Sequence, residues 1–209
     1  FYEHNGVDLK RTTGALFKYA LSKVGIGDAS YGGSTLTQQV IKNLTEEKDK
    51  TSARKAKEIM RAMALEKKVS KEDILTLYLN IAYFSNGCYG VGAAAHTYFD
   101  KDASDLSIEE AALIAGITQF PSKYDPIANP NDSVDKRNRV LKKMYELKMI
   151  SKEEYDEAKN SELKLSVNKA SAEENINSYF VEQLITEITN DLSEKHGYSR
   201  SVFLVRYVF

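Results

Sequence analysis

A run of neutral hydrogen-bonding side chains followed by charged ones offers the clearest chemistry in this chain. Residues 32–43 read GGSTLTQQVIKN and combine paired glycines with hydroxyl groups, amides and one lysine. Eleven residues further on, residues 54–58 read RKAKE. Hydroxyl and amide groups suit the directional hydrogen bonds of a sugar, whereas lysine and arginine suit phosphate oxygens. Together the two stretches predict a site that binds sugar and phosphate.

Each stretch alone also has an ordinary structural interpretation. The first fits a turn and a helix N-cap, with Gln38 and Gln39 on a solvated helix surface. The second fits a surface ion pair, because Arg54 and Glu58 are four residues apart on a helix. The wider order of motifs is therefore needed to choose between these readings.

Composition excludes several classes of function. The 209 residues carry 29 basic and 30 acidic side chains, which are interspersed, so we expect no nucleic-acid partner. The single cysteine, Cys88, excludes an internal disulfide, and no His or Cys spacing indicates a structural zinc site. We expect no organic cofactor.

Helix signals dominate the chain. Ser52 is expected to cap a helix through about Lys68, and its apolar face should pack in the core (Ala56, Ile59, Met60 and Met63). Capping boxes predict three further helix starts, at Ser70, Ser107 and Ser151. The helix from Ile108 to about Ile117 is apolar nearly all round, which predicts a central position. A last amphipathic helix is expected from Ile176 to Leu192.

Five short motifs follow one another between about Phe1 and Lys159. They read FYEHNG at 1–6, GSTLTQQ at 33–39, RKAKE at 54–58, ILTLYLN at 74–80 and LSIEEAALIAG at 106–116, the last followed by Pro121, Tyr124 and Pro126. In this order they resemble the motifs of the family 51 peptidoglycan glycosyltransferases, the transglycosylase domain of class A penicillin-binding proteins and of monofunctional transglycosylases. The stretch Ser85–Cys88 departs from the glycine-rich pattern usual after the fourth motif.

The resemblance implies a mainly α, lysozyme-like helical glycosyltransferase domain over residues 1–160. Residues 161–209 would then be a helical extension at the start of a linker towards a transpeptidase domain that is absent from this chain. The glutamate regarded as the family's catalytic base would lie upstream of Phe1, so the domain is expected to be N-terminally truncated.

The implied reaction polymerises lipid II into glycan strands, with inversion and release of undecaprenyl diphosphate. The implied partners are lipid II, lipid-linked glycan, the membrane interface and other proteins of cell-wall synthesis. The implied location is the extracytoplasmic face of the bacterial cytoplasmic membrane, with the anchor outside this fragment. Residues 15–24 fit either a helix in the membrane interface or an amphipathic helix against the core.

The resemblance also assigns the site. Glu58 is the catalytic candidate, and three roles stay open for it: it would orient cations, hold a divalent cation (Mg or Mn) against the diphosphate, or act as an acid. The residues expected to bind substrate are His4, Gly33, Ser34, Thr35, Gln38, Gln39, Lys42, Asn43, Arg54, Lys55 and Asn80. Within this set His4 and Asn80 are expected to brace the site.

Two alternative functions stay open. One is a lysozyme-like glycoside hydrolase, which also depends on a glutamate but has no use for cations that stabilise a diphosphate. The other is a catalytically incomplete fragment that binds lipid II and lacks its base.

Overall fold

The computed structural model describes residues 1–23, 25, 32–45 and 51–167. These residues form eight α-helices, a 3-10 turn at Ala103–Asp105 and an isolated antiparallel bridge between Tyr83 and Tyr89. The helices are α1 (Leu9–Lys23), α2 (Leu36–Thr45), α3 (Ser52–Glu66), α4 (Lys71–Ile81), α5 (Val91–Phe99), α6 (Ile108–Ile117), α7 (Pro130–Glu146) and α8 (Lys152–Asn160). The expected mainly α fold is therefore confirmed for this part of the chain.

The described residues fall into two compact units, 1–81 and 82–167. None of their helices is long and apolar enough to cross a bilayer. The helix expected from Ile176 to Leu192 lies outside the described residues, as does most of the expected extension at 161–209.

In the first unit, α2 packs against both α3 and α4. The core between them consists of buried aliphatic side chains: Val40, Ile41, Ala62, Leu65 and Ile74. On α1, Phe17 is 67% exposed and Leu9 is also exposed. These two apolar side chains of α1 are therefore not part of the core.

The expectation for the start and the buried face of α3 is wrong. Thr51, not Ser52, is the N-cap, because its side chain accepts a hydrogen bond from the backbone N–H of Arg54. Met60 is 70% exposed and Met63 is 45% exposed. The helix instead buries the face that carries Glu58, Ala62 and Leu65. Ala62 and Leu65 pack in the core with Val40, Ile41 and Ile74, and the cations that pair with Glu58 make the burial of its carboxylate tolerable.

In the second unit, α6 packs against α5, α7 and α8. It begins at a full capping box between Ser107 and Glu110, as the sequence predicts, and it ends at the expected residue, Ile117. Its buried side includes Leu113 and Ile114. The expected central position is confirmed within this unit, although Ala111 and Ala115 remain exposed. The capping box at Ser151 is also present.

The loop that follows α4 is held by one carboxylate. Ser85, Asn86 and Gly87 all have positive φ angles, of 70°, 50° and 77°. Asp125 accepts hydrogen bonds from Ser85 Oγ at 2.9 Å and from Asn86 Nδ2 at 3.0 Å. It also accepts from the backbone N–H groups of residues 127 and 128. Asp125 therefore stabilises a stretch of strained backbone.

These contacts also set the ionisation of Asp125. Burial alone would raise its pKa, but the hydrogen bonds from Ala128 and Ile127 N–H, with those from Asn86 and Ser85, lower the pKa below the ordinary 3.8. A lowered folded-state pKa means that the carboxylate contributes stability above pH 3.8, and that this contribution is lost as the pH falls through the folded-state pKa.

We expect Asp125→Ala to lower the free energy of unfolding by about 3 kcal/mol, because it leaves several partly buried donors without their acceptor. Chemical denaturation followed by circular dichroism measures this change. Asp156→Ala is the matched control, since Asp156 pairs only with exposed Lys152, and it should leave the midpoint unchanged. Equal midpoints for the two variants would contradict this account of the loop.

Candidate functional site

Glu58 lies on the buried face of α3 and pairs with two cations of its own helix. It is 3% exposed. Arg54 Nη1 donates to Glu58 Oε2 at 2.6 Å, and Lys55 Nζ donates to Glu58 Oε1. The spacings of four and three residues place all three side chains on neighbouring positions of one helix face. The expected pair of Arg54 and Glu58 therefore exists, and it is largely buried.

Lys55 joins this group to the start of α2. Its Nζ donates to Ser34 Oγ at 2.8 Å and lies 3.5 Å from Gln38 Oε1. Residues of the second and third motifs thus meet through one ammonium group. We call Ser34, Gln38, Arg54, Lys55 and Glu58 the Glu58 cluster.

The charges of the Glu58 cluster leave it with a positive excess. Two cations share one carboxylate, so the formal sum is one positive charge. A buried carboxylate is costly unless it is paired and hydrogen-bonded, and here both of its oxygens accept from cations. The excess charge makes this cluster able to attract an anion.

Gln38 has one donor without a partner. The side chain is 1% exposed, and its Oε1 accepts from the backbone N–H of Thr35 at 3.0 Å, which fixes the orientation of the amide. Its Nε2 is buried and has no hydrogen-bond partner among the residues that the structure describes. Unsatisfied buried donors are rare in folded proteins. An oxygen of a bound ligand is therefore a fitting acceptor for Gln38 Nε2.

Thr35 has a structural task at the start of α2. Its Oγ1 donates to the carbonyl of Gly6 at 2.7 Å and accepts from the backbone N–H of Gln38 at 3.2 Å. Together with the bond from Thr35 N–H to Gln38 Oε1, this is the reciprocal arrangement of a capping box. The N-cap reading holds for this residue, but Gln38 is buried and not on a solvated surface.

Four other predicted residues lie beside these groups without joining them. A Cβ atom at Gly33 would come 2.8 Å from Ala15 Cβ, so the close approach at this glycine is to α1. Lys42 is exposed one turn after Gln38, on the same side of α2. Gln39 and Asn43 are exposed and also one turn apart. Their roles as substrate contacts stay predictions.

Asn80 and His4 differ in their surroundings. Asn80 is exposed, and its Nδ2 donates to the carbonyl of Thr76 in its own helix, so the structure gives it no bracing contact with the Glu58 cluster. His4 Nδ1 is buried 3.9 Å from Glu66 Oε1. Burial, followed by the charge of Lys71, lowers the pKa of His4, which favours a neutral ring.

The sequence interpretation missed three residues that fix the loop at 1–6. Lys71 Nζ donates to the carbonyl oxygens of Phe1 at 2.8 Å and His4 at 2.6 Å, and it pairs with Glu66 Oε2 at 2.6 Å. Glu66 Oε1 accepts from Thr37 Oγ1. We call Thr37, Glu66 and Lys71 the Lys71 clamp. The one available signal was that Glu66 follows Glu58 by eight residues, on the same side of α3.

Gly6 completes the docking of this loop onto α3. Its φ angle is +84°, and a Cβ atom there would lie 2.7 Å from the backbone carbonyl of Ala62. Only glycine fits such an approach in this conformation. The loop of the first motif is therefore pressed against the helix that carries Glu58.

We expect Lys71→Met to lower the free energy of unfolding by about 3 kcal/mol, because it leaves a buried Glu66 carboxylate without its ammonium partner. The double variant Lys71→Met/Glu66→Gln should regain part of that loss. Thermal or chemical unfolding measures both. Lys143→Met, which removes an exposed partner of Glu146, is the matched control, and a loss no larger than its own would rule out the clamp.

The donor set does not fit a divalent cation held by the protein. Both Glu58 oxygens already accept from Arg54 and Lys55. No group of three or more His, Cys, Asp or Glu side chains among residues 1–23, 25, 32–45 and 51–167 could hold a metal ion. Mg²⁺ at a phosphate site is bound by one or two carboxylates together with substrate phosphates and waters, so it would need an oxygen of Glu58 that is not already paired. Of the three roles open to Glu58, this geometry favours the orientation of cations.

The sequence of this chain matches a known protein family. A family model described as Transglycosylase matches residues 1–145. The chain belongs to the transglycosylase family. The expected resemblance is thereby confirmed, and the Glu58 cluster and the Lys71 clamp both lie inside the matched segment.

Individual relatives agree with the family. Penicillin-binding protein 1A of Streptococcus pneumoniae is 38% identical over 202 residues, which cover 95% of this chain and 27% of that protein. Penicillin-binding protein 1F of Bacillus subtilis is 40% identical over 179 residues, covering 86% of this chain and 24% of that protein. A 2.6 Å crystal structure of penicillin-binding protein 1A from Haemophilus influenzae matches 80% of this chain and 20% of that chain, with 27% identity and a TM-score of 0.46. The transglycosylase chain thus spans about a quarter of the length of these relatives.

Proposed function

We propose that this transglycosylase chain is the glycosyltransferase part of a peptidoglycan polymerase. It would join the sugar of lipid II to the reducing end of a lipid-linked glycan, with inversion at the anomeric carbon and release of undecaprenyl diphosphate. The observation that carries the proposal is the Glu58 cluster, in which two cations, a hydroxyl and an unpartnered amide donor meet. Family membership supports the same reaction class.

The cations of the Glu58 cluster would stabilise the negative charge that develops on the leaving diphosphate. As the acceptor hydroxyl attacks the anomeric carbon, the bond from that carbon to the diphosphate oxygen breaks, and its electron pair stays on the diphosphate. Arg54 and Lys55 are positioned to stabilise this charge, and a single positioned donor is worth about 3 kcal/mol of barrier. Glu58 holds both cations in place before substrate arrives.

The neutral side chains of the Glu58 cluster would donate hydrogen bonds to oxygens of the substrate. Gln38 Nε2 would donate to a diphosphate or sugar oxygen, which would satisfy its buried donor. Ser34 Oγ accepts from Lys55, so its own proton is available to the substrate. The proton of the attacking hydroxyl needs a general base, and the resemblance implies a family glutamate that precedes the loop fixed by the Lys71 clamp.

The location of the substrate suggests a role for α1. Exposed Phe17 and Leu9 give α1 apolar side chains that do not contribute to the core. Such side chains can enter the interfacial region of a bilayer. We propose that α1 contacts the outer face of the bacterial cytoplasmic membrane, where a lipid-linked substrate and other cell-wall synthesis proteins would be met.

The alternative functions explain the geometry less well. A glycoside hydrolase releases no diphosphate, so it leaves the paired cations of the Glu58 cluster without a task. A fragment that only binds lipid II would use the same cluster without turnover. The polymerase, the hydrolase and the binding fragment differ in their products. A longer form of the chain would extend glycan, shorten glycan or leave lipid II unchanged, respectively.

The deciding experiment incubates such a longer form with labelled lipid II. We expect long glycan chains, and we expect Lys55→Gln to reduce the rate by about 10² to 10³ because it removes a cation from the leaving group. Glu58→Gln should reduce it as well, since the cations lose their orientation. Gel separation of the labelled products measures both the chain length and the rate.

Lys57→Gln is the matched control, because Lys57 is exposed on the same helix and the variant removes the same charge. It should keep the rate of the parent chain. Shortening of pre-made glycan would favour the hydrolase, and absent turnover by a folded longer form would favour the binding fragment. If Lys55→Gln were as active as Lys57→Gln, the proposal that the Glu58 cluster stabilises the leaving group would be wrong.

A further inference from the structure

Three cations surround one tyrosine ring in the second unit. Lys136 Nζ lies 5.5 Å from the ring centroid of Tyr124, and Lys123 Nζ and Arg139 Cζ each lie 5.7 Å from it. Arg139 Nη2 also donates to the phenol oxygen of Tyr124 at 3.4 Å. We call Lys123, Tyr124, Lys136 and Arg139 the Tyr124 cluster.

No ion pair joins these three cations to a carboxylate within the described part of the chain, although Asp132 and Asp135 lie one turn before Lys136 and Arg139 on α7. The ion pairs found within the described part of the chain use other cations, for example Lys143 with Glu146 and Lys152 with Asp156. Lys136 and Arg139 lie three residues apart on α7, where like charges repel. Burial, and then the charge of Arg139, lowers the pKa of Lys136. The Tyr124 ring offsets part of this repulsion, but among the described residues the cations keep no ion-pair partner, so they are available to an anion.

The packing of α6 against α7 holds Lys136 in this position. Its stem passes over Gly116 of α6, where a Cβ atom would lie 2.8 Å from Lys136 Cγ. The Nζ then donates to Gln119 Oε1. A side chain at position 116 would displace the lysine stem. The ammonium is thus presented by the fold at a defined place, unlike that of an ordinary surface lysine.

The donors of the Tyr124 cluster match an oxyanion with several oxygens and more than one charge. A guanidinium offers a planar fork of N–H groups, two ammonium groups add point charges, and the phenol can donate its own proton. Phosphoryl groups combine these requirements better than a single carboxylate does. Phe120 lies edge-on to Tyr124 and is 55% exposed, so an apolar part of the ligand would also find a contact.

We propose that the Tyr124 cluster binds the phosphoryl group of a phosphate-bearing ligand. Free phosphate and the headgroup of an anionic lipid share this chemistry, and the experiment separates them. The inference stands on the second unit alone, so it does not depend on the proposed glycosyl transfer.

The first arm titrates inorganic phosphate into the ¹⁵N-labelled full chain at constant ionic strength. We expect saturable shifts of the backbone amides at residues 120, 122–124 and 136–139. Lys136→Gln/Arg139→Gln should raise the dissociation constant at least tenfold, since it removes two charge-assisted donors. A second variant, Lys123→Gln/Arg139→Gln, should also raise the dissociation constant for phosphate. Both of its residues are exposed, so it serves as the test if Lys136→Gln/Arg139→Gln is destabilised.

Lys143→Gln/Lys152→Gln removes the same two charges from exposed ion pairs and should bind phosphate like the parent chain. The second arm measures binding to phosphatidylglycerol vesicles, with phosphatidylcholine vesicles as reference. Binding to the first vesicles alone, lost in Lys136→Gln/Arg139→Gln, would identify a lipid headgroup as the ligand. Equal weakening in the control variant, equal shifts with chloride, or no binding in either arm would overturn the proposal.

Discussion

The buried carboxylate of Glu58 constrains the first unit more than any other group. A carboxylate at this depth is stable only when its charge is neutralised and its oxygens accept hydrogen bonds. Arg54 and Lys55 satisfy both conditions from the same helix. The buried face of α3 carries Ala62 and Leu65 beside Glu58, while Met60 and Met63 face solvent. The apolar side chains supply the core contacts, and the two cations make the burial of the carboxylate tolerable.

The same constraint assembles the candidate site. Lys55 can reach Ser34 and Gln38 only because its helix face is turned inward. The Lys71 clamp then holds the loop at 1–6 against the same helix, and Gly6 allows the two backbones to touch. Three motifs that are far apart in sequence thereby share one unit. A cluster with a positive excess beside neutral donors suits the release of a diphosphate from a sugar.

The sequence predicts the local features of this fold well. The capping boxes at Ser107 and Ser151 and the limits of α6 depend on residues within one or two turns, so their pattern is visible without coordinates. Thr51 and Ser52 are adjacent hydroxyl residues, and pattern alone does not tell which of them caps α3. Ser34, Arg54, Lys55 and Glu58, which the resemblance assigns to one site, do meet in the structure, and their roles stay predictions.

Features that depend on distant partners were not predictable. Hydrophobic periodicity predicts that the methionine face of α3 is buried. It does not register that Glu58 on another face is neutralised by two cations of the same helix. Lys71 donates to the backbone carbonyls of Phe1 and His4, which precede it by 70 and 67 residues. No local sequence pattern predicts such a bond. Asn80 belongs to a recognised motif, yet its amide bonds to its own helix. Motif membership identifies a segment more reliably than it identifies each side chain's task.

A double-mutant cycle between Glu58 and Lys55 tests the central claim most directly. The free energy of unfolding would be measured for the parent chain, Glu58→Gln, Lys55→Met and the double variant. If the buried carboxylate depends on its cation, the two losses are coupled by about 1–3 kcal/mol, so the double variant is more stable than the sum of the single losses implies. Losses that add within about 0.5 kcal/mol would contradict the account.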